Sequence, residues 1–286
     1  MHPVARSSGA LLKLDTMFII IIITALLPVV ILGWWIYRKD SAKPEPLRQL
    51  ISALFYGVGS AFVSMLFAIP LTLFLGFDTI EQMNSLGDAI SVSLLSAAVP
   101  EELAKLTMLW LFLRKNPYYD EYLDGIVYAA CIGLGFAGTE NILYLLRAED
   151  WLMTGIVRGV TAVPAHFAID CAMGYFYSKR HFGDRSNLTA ACILGVPIII
   201  HWVYDALAFS EGVFPALSVV INILFVLLIW IVYKRTMHRI GDLKQLDQSR
   251  MTPPPFPGGL PATGAGPSVP PPLPGTNPNN NNTPVV

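Results

Sequence analysis

Seven long apolar segments constrain the fold of this 286-residue chain more than any other feature. Each is long enough to cross about 30 Å of hydrocarbon as an α-helix that rises about 1.5 Å per residue. A helix also satisfies its own backbone polar groups, which hydrocarbon cannot do. Because 54% of the residues are hydrophobic and only 14% are charged, we predict an all-α, polytopic membrane helix bundle. Its seven transmembrane helices run roughly over 17–37, 50–76, 88–113, 123–146, 154–177, 189–209 and 213–233.

Lysine and arginine are distributed unevenly between the connections. The loops 38–48, 114–122 and 178–188 and the part after 233 hold 14 of the 19, whereas the opposite connections hold three. Cytoplasmic loops of membrane proteins carry the excess of these residues. We therefore predict an inner (plasma) membrane protein with its N-terminus outside and its C-terminus in the cytoplasm.

The composition changes along the chain and predicts four regions. An extracytoplasmic segment, 1–16, precedes the membrane domain, 17–233, and a basic cytoplasmic juxtamembrane segment, 234–250, follows it. The tail, 251–286, is rich in Pro, Gly and Asn and is predicted to be disordered. The loops are short, so any activity is expected within the membrane domain, and a net charge of −1 gives no reason to expect a nucleic-acid partner.

Four of the apolar segments carry ionisable residues. A charged group near the bilayer centre costs about 2.5–3.5 kcal/mol on insertion scales, so such residues indicate a functional site. They are Glu101 and Glu102, Glu140, His166 with Asp170, and His201 with Asp205.

Helical spacing predicts that these residues meet. Counted from the basic ends of their segments, Glu101, His166 and His201 all lie roughly 17–18 Å into the membrane. Asp170 and Asp205 each follow a histidine by four residues, so either could orient its imidazole.

The two adjacent glutamates raise a separate question. Glu101 and Glu102 should point about 100° apart, so only one is expected to face a given target. Lys105 is expected to neutralise one of them and to leave the other free as a base.

Two imidazoles and a carboxylate suit peptide hydrolysis in two ways. They can hold a divalent metal such as zinc, for which His166, His201 and Glu140 are the candidate ligands, or glutamate can act as the base without a metal. The sequence contains no His-Glu-x-x-His motif. Two other classes remain open: a proton-coupled transporter that uses the same residues as a relay, and a scaffold with a bis-histidine haem.

The motifs also carry a family resemblance. Four segments, Pro100-Glu101-Glu102-Leu-Ala-Lys105, Gly135-Phe-Ala-Gly-Thr-Glu140-Asn141, Pro164-Ala-His166 and His201-Trp-Val-Tyr-Asp205, resemble the PrsW family of intramembrane proteases. The resemblance covers about residues 17–233. The family is similar to a larger group of CAAX prenyl proteases and bacteriocin-processing proteins, whose substrates are a further alternative.

The resemblance implies a peptidase and a set of site residues. The catalytic residues would be Glu101, Glu102, Glu140, His166 and His201, with support from Lys105, Asn141, Asp170 and Asp205. The implied substrate is a single-pass membrane protein. It could be an anti-sigma factor that receives its first cut in regulated proteolysis during a stress response. Whether the mechanism is metallo- or glutamic-type is left open.

Overall fold

The helices of the protein follow its apolar segments. In a computed structural model, which describes residues 4–39, 43–76 and 83–251, this part of the chain contains helices and no strand, and the all-α prediction is confirmed. Besides α-helices it contains a π-helical turn, Ser93–Ala98, and a 3₁₀ turn, Pro215–Leu217. The α-helices are α1 (Val4–Lys39), α2 (Leu47–Phe74), α3 (Leu86–Val92), α4 (Val99–Leu113), α5 (Tyr122–Arg147), α6 (Trp151–Val160), α7 (Ala162–Phe182), α8 (Asn187–Val213) and α9 (Ser218–Met251).

The helices that could cross a membrane match the predicted segments. Within the described residues six are long and apolar enough, with α6 and α7 together forming one of them. The protein is a multi-pass integral membrane protein. The remaining predicted segment, 88–113, forms the continuous helical stretch of α3, the π turn and α4, which is not among the six. Every 18-residue stretch of Leu86–Leu113 contains at least three charged residues, so the residues of the candidate site themselves lower its apolar character.

Helix α5 forms the centre of the bundle. It is buried without interruption from Leu123 to Gly138, and it packs against α7, α2 and α1. Between membrane helices, small residues allow the backbones to approach closely. Gly57 of α2 and Gly135 of α5 face each other so closely that a Cβ on either would collide with the backbone of the other helix.

Two helix breaks lie next to candidate site residues, and each has a proline within three residues. The π turn ends one residue before Val99, the first residue of α4, and Pro100 is the second residue of that helix. Pro164 lies in the first turn of α7, after the break at Thr161. Proline lacks an amide donor and clashes with the preceding turn, which explains both boundaries. Single π turns are frequent at functional sites.

The last helix continues beyond its apolar stretch. The predicted juxtamembrane segment, 234–250, is part of α9, and Ile240 and Leu243 are buried against the core around α5. The carboxylate of Asp247 accepts hydrogen bonds from the first two amides of α5, at 2.7 and 3.0 Å. The structure therefore ties the basic end of α9 to the N-terminus of the central helix. Of the predicted tail, residues 252–286 lie outside the described residues.

Candidate active site

Three predicted site residues from three helices come together. Glu101 of α4, His166 of α7 and His201 of α8 each offer one ligand atom, and these atoms lie within 4.8 Å of one another. The two imidazole rings meet edge to face with their centroids 5.1 Å apart. This contact leaves no space for a porphyrin between them, so the bis-histidine haem alternative is wrong for this pair.

His201 contacts both adjacent glutamates. Its Nδ1 lies 2.6 Å from Glu102 Oε1, and its Nε2 lies 3.6 Å from Glu101 Oε2. The expectation that only one glutamate could face a given target is therefore wrong for His201, because the two carboxylates reach opposite nitrogens of one ring. Asp205 Oδ2 lies 3.2 Å from Nε2, so this aspartate contacts its histidine as predicted.

Lys105 supplies a buried positive charge beside these residues. Its side chain is fully buried, and its Nζ lies 2.5 Å from Glu102 Oε1. The predicted neutralisation of one glutamate is confirmed, and the partner is Glu102, three residues away. Asp170 lies 3.5 Å from Nζ, and His166 Nδ1 lies 3.4 Å from it. Asp170 thus pairs with the lysine, and no hydrogen bond or ion pair joins it to His166 among the described residues, contrary to the expectation that it could orient this ring.

Glu140 lies on the other side of His166. Its Oε2 is 2.9 Å from His166 Nε2, and it also accepts a hydrogen bond of 2.9 Å from Arg158. Asn141 accepts a hydrogen bond of 2.8 Å from Arg158 Nε and donates one to the Ala25 carbonyl. Asn141 therefore positions Arg158, which in turn fixes Glu140.

A cleft of about 270 Å³ gives access to the cluster. It runs from Glu101 and His166 along the face of α8 toward Gly212, which lies near the end of the bundle opposite the basic loops. Glu102 does not line it, since its side chain is fully buried. The lining residues are Ala97, Glu101, Glu140, Tyr144, Arg158, Ala162, His166, Tyr204, Asp205, Ala208, Phe209 and Gly212.

The donor set fits a metal ion at one side of the cluster. If Glu102 accepts the proton of His201 Nδ1, the lone pair of Nε2 points at oxygens of Asp205 and Glu101. Oε2 of Glu101 is buried and has no hydrogen-bond partner. A metal cation, or a proton shared between these atoms, satisfies three electron-rich atoms that face one another in this way. The carboxylate that meets the two histidines is that of Glu101, whereas Glu140 was the predicted ligand. Glu140 is instead paired with Arg158 and His166.

Some cleft residues were not among the predicted site residues. Arg158 is one of them, and it forms an internal ion pair with Glu140. Its guanidinium also stacks on the Tyr144 ring at 3.8 Å. The charge of Arg158 within an apolar segment was the available signal. Tyr204 carried no such signal, because a tyrosine in an apolar helix more often packs or faces lipid.

Comparisons with known proteins agree with this site. The model of the PrsW family of intramembrane metalloproteases matches residues 45–232, a stretch that contains every residue of the cluster. A protease PrsW of Clostridioides difficile strain 630 is 32% identical over 224 residues, which cover 77% of this chain and 88% of that protein. A protease PrsW of Bacillus subtilis strain 168 is 32% identical over 187 residues, which cover 65% of this chain and 81% of that protein. No solved structure matches the chain.

These matches decide between the classes that the sequence left open. The family model covers more than half of the chain, and the relatives are proteases. A peptidase therefore replaces the transporter alternative, and the four motifs that carried the resemblance all lie within the matched residues. The chain belongs to the PrsW family and is an intramembrane protease.

Proposed function

We propose that the protein is an endopeptidase that cuts a membrane-anchored protein at the cleft beside Glu101, His166 and His201. The observation that carries this proposal is the meeting of these three side chains within 4.8 Å, from three different helices of a membrane domain. A carboxylate can activate water as a general base, and imidazoles beside it can act as further acid–base groups or as metal ligands.

The two glutamates would have different roles. Glu101 lines the cleft and has a carboxylate oxygen without a hydrogen-bond partner, so it can approach a water molecule or a metal ion. Glu102 is fully buried between Lys105 and His201. Its carboxylate would hold His201 in the tautomer whose Nε2 lone pair faces the cleft side. Of the two, Glu101 is therefore the candidate that touches the reacting groups.

The cluster would hold a divalent metal ion, such as zinc, through Glu101, His166 and His201. Two nitrogens and one oxygen form a donor set that catalytic zinc sites use. When bound, such an ion would activate water and polarise the peptide carbonyl. Metal binding at His166 would replace the hydrogen bond between its Nε2 and Glu140. Glu140 would keep its ion pair with Arg158.

The surroundings of the cleft support a membrane-anchored substrate. A second, apolar cavity of about 400 Å³ lies between α1, α7, α8 and α9. Tyr204 lines both this cavity and the active-site cleft, so the two adjoin at one residue. An apolar transmembrane segment held in this cavity would present its flanking residues to Glu101. Following the family resemblance, we extend the proposal to a single-pass anti-sigma factor whose first cut starts regulated proteolysis.

Co-expression with tagged single-pass membrane proteins from the organism that encodes this chain tests the proposal. The wild type should release a fragment, and Glu101→Gln and His166→Ala should not, at equal amounts of membrane-inserted enzyme. Glu149→Gln is the matched control, because this glutamate is exposed in the connection between α5 and α6. Fragments that persist with both site variants would overturn the assignment of the site. An anti-sigma factor that stays intact while another protein is cut would overturn the substrate only.

A further inference from the structure

A second polar cavity lies at the other end of α7 from His166. It has a volume of about 350 Å³, and we name it the basic pocket. Arg180 is 14 residues beyond His166 on the same helix, which corresponds to roughly 21 Å. The basic pocket is therefore separate from the active-site cleft. Its wall is formed by Tyr177, Arg180, His181, Arg185 and Ile193.

The arginines of the basic pocket lack an ion-pair partner among the described residues. None of the wall residues is acidic, and neither Arg180 nor Arg185 forms an ion pair with any described residue. Nη1 of Arg180 is buried and has no hydrogen-bond partner in the described part of the chain. The aspartate of the adjoining turn, Asp184, instead accepts hydrogen bonds from the Ser186 amide at 3.0 Å and the Thr189 hydroxyl at 2.5 Å.

The position of the basic pocket indicates what could supply the missing negative charge. One candidate membrane span ends at Phe182 and the next begins at Asn187, so the pocket lies where two spans leave the apolar zone. Lipid head groups lie at this depth. The planar guanidinium of arginine matches the oxygens of a phosphate group. Ile193 adds an apolar wall on α8, against which the start of an acyl chain can pack.

We propose that the basic pocket binds a phosphate group, and that an anionic phospholipid supplies it. Arg180 and Arg185 provide the charged donors, with His181 and the Tyr177 hydroxyl as further polar groups of the wall. The ligand is bound by the ends of α7 and α8, the two helices that carry His166 and His201.

Native mass spectrometry of the detergent-purified full chain tests the proposal, with phosphatidylglycerol and phosphatidylcholine added in parallel. Phosphatidylglycerol should be retained in preference to phosphatidylcholine. Its affinity should fall by about tenfold or more in the double variant Arg180→Gln/Arg185→Gln, the order expected when charge-assisted hydrogen bonds are lost. Lys115→Gln is the matched control: it removes one positive charge from an exposed loop residue on the same side of the protein, outside the pocket.

Each contrary result would exclude a different part of the proposal. Equal retention of phosphatidylglycerol by the wild type, the double variant and the control would overturn the site, because general attraction by basic loops would then suffice. Binding of inorganic phosphate to the wild type, without selective lipid retention, would overturn the lipid as the source. If the double variant fails to fold, Arg185→Gln alone, which changes an exposed side chain, should still weaken retention, and unchanged retention would contradict the proposal.

Discussion

Replacing Lys105 by methionine should destabilise the protein strongly. The ammonium is fully buried, 2.5 Å from Glu102 and 3.5 Å from Asp170, and both carboxylates are also buried. Methionine has a similar length but no charge, so two carboxylates would lose their shared cation inside the bundle. Removing one partner of a buried ion pair costs about 3–5 kcal/mol, chiefly because the other charge remains without compensation.

A surface pair of the same protein provides the comparison. Lys43 and Asp120 also lie 2.5 Å apart, but about half of each side chain is exposed. Exposed ion pairs contribute about 0–1 kcal/mol. We therefore expect Lys43→Met to change the free energy of unfolding by less than about 1 kcal/mol, although the pair distance is the same as in the buried pair.

Unfolding by sodium dodecyl sulfate, followed by tryptophan fluorescence and circular dichroism, measures both variants in the same micelles. The double variant Lys105→Met/Glu102→Gln should recover part of the lost free energy, since it removes one of the two uncompensated charges. A Lys105→Met protein as stable as the Lys43→Met protein would refute the reasoning, because it would mean that the buried lysine does not hold the carboxylates together.

Three further outcomes follow from single features of the structure. A Cβ on Gly133 would collide with the Asp170 carboxylate, so Gly133→Ala should lower both the thermal stability and the cleavage rate. A Cβ on Gly195 would meet open space, so Gly195→Ala should leave both near wild type. Asp247→Ala removes the acceptor of the first two amides of α5, and its melting temperature should drop by the equivalent of about 1 kcal/mol while the fragment is still produced. A cysteine introduced in the 114–121 connection should be shielded from a membrane-impermeant maleimide added to intact cells, and a cysteine in the 148–150 connection should react; the reverse pattern would contradict the predicted orientation.

The helices could be predicted from the sequence because hydrocarbon leaves few alternatives. Apolar length decides where a membrane helix runs, and the seven predicted segments all appear as helices. The meeting of Glu101, His166 and His201 could be predicted as well, since residues at one depth on neighbouring helices can reach one another. Counting residues along each predicted helix was therefore enough to predict which side chains lie at the same depth.

Other features depend on how the helices are rotated and packed, which spacing does not fix. The π turn before α4 rotates the helix that carries Glu101 and Glu102, and both carboxylates then reach His201. Lys105 pairs with Glu102 on its own helix and also lies 3.5 Å from Asp170 on α7. The helical continuation of α9 through 234–250 has only two well-buried apolar residues, Ile240 and Leu243, and its polar composition predicted a plain juxtamembrane segment.

The most direct measurement is peptide-bond cleavage by the purified protein, reconstituted in liposomes with a single-pass substrate. The variant His201→Gln is compared with the control His238→Gln. Both histidines have an aspartate four residues later, at 3.2 Å for His201 and 3.0 Å for His238, but His201 is buried in the cluster and His238 is exposed on α9. We predict that His201→Gln lowers the cleavage rate by about 100-fold or more, because loss of a group that only supports a metal ligand already costs about 10–100-fold and His201 is proposed as a ligand itself. His238→Gln should keep the wild-type rate. Wild-type cleavage by His201→Gln would contradict the proposed catalytic cluster.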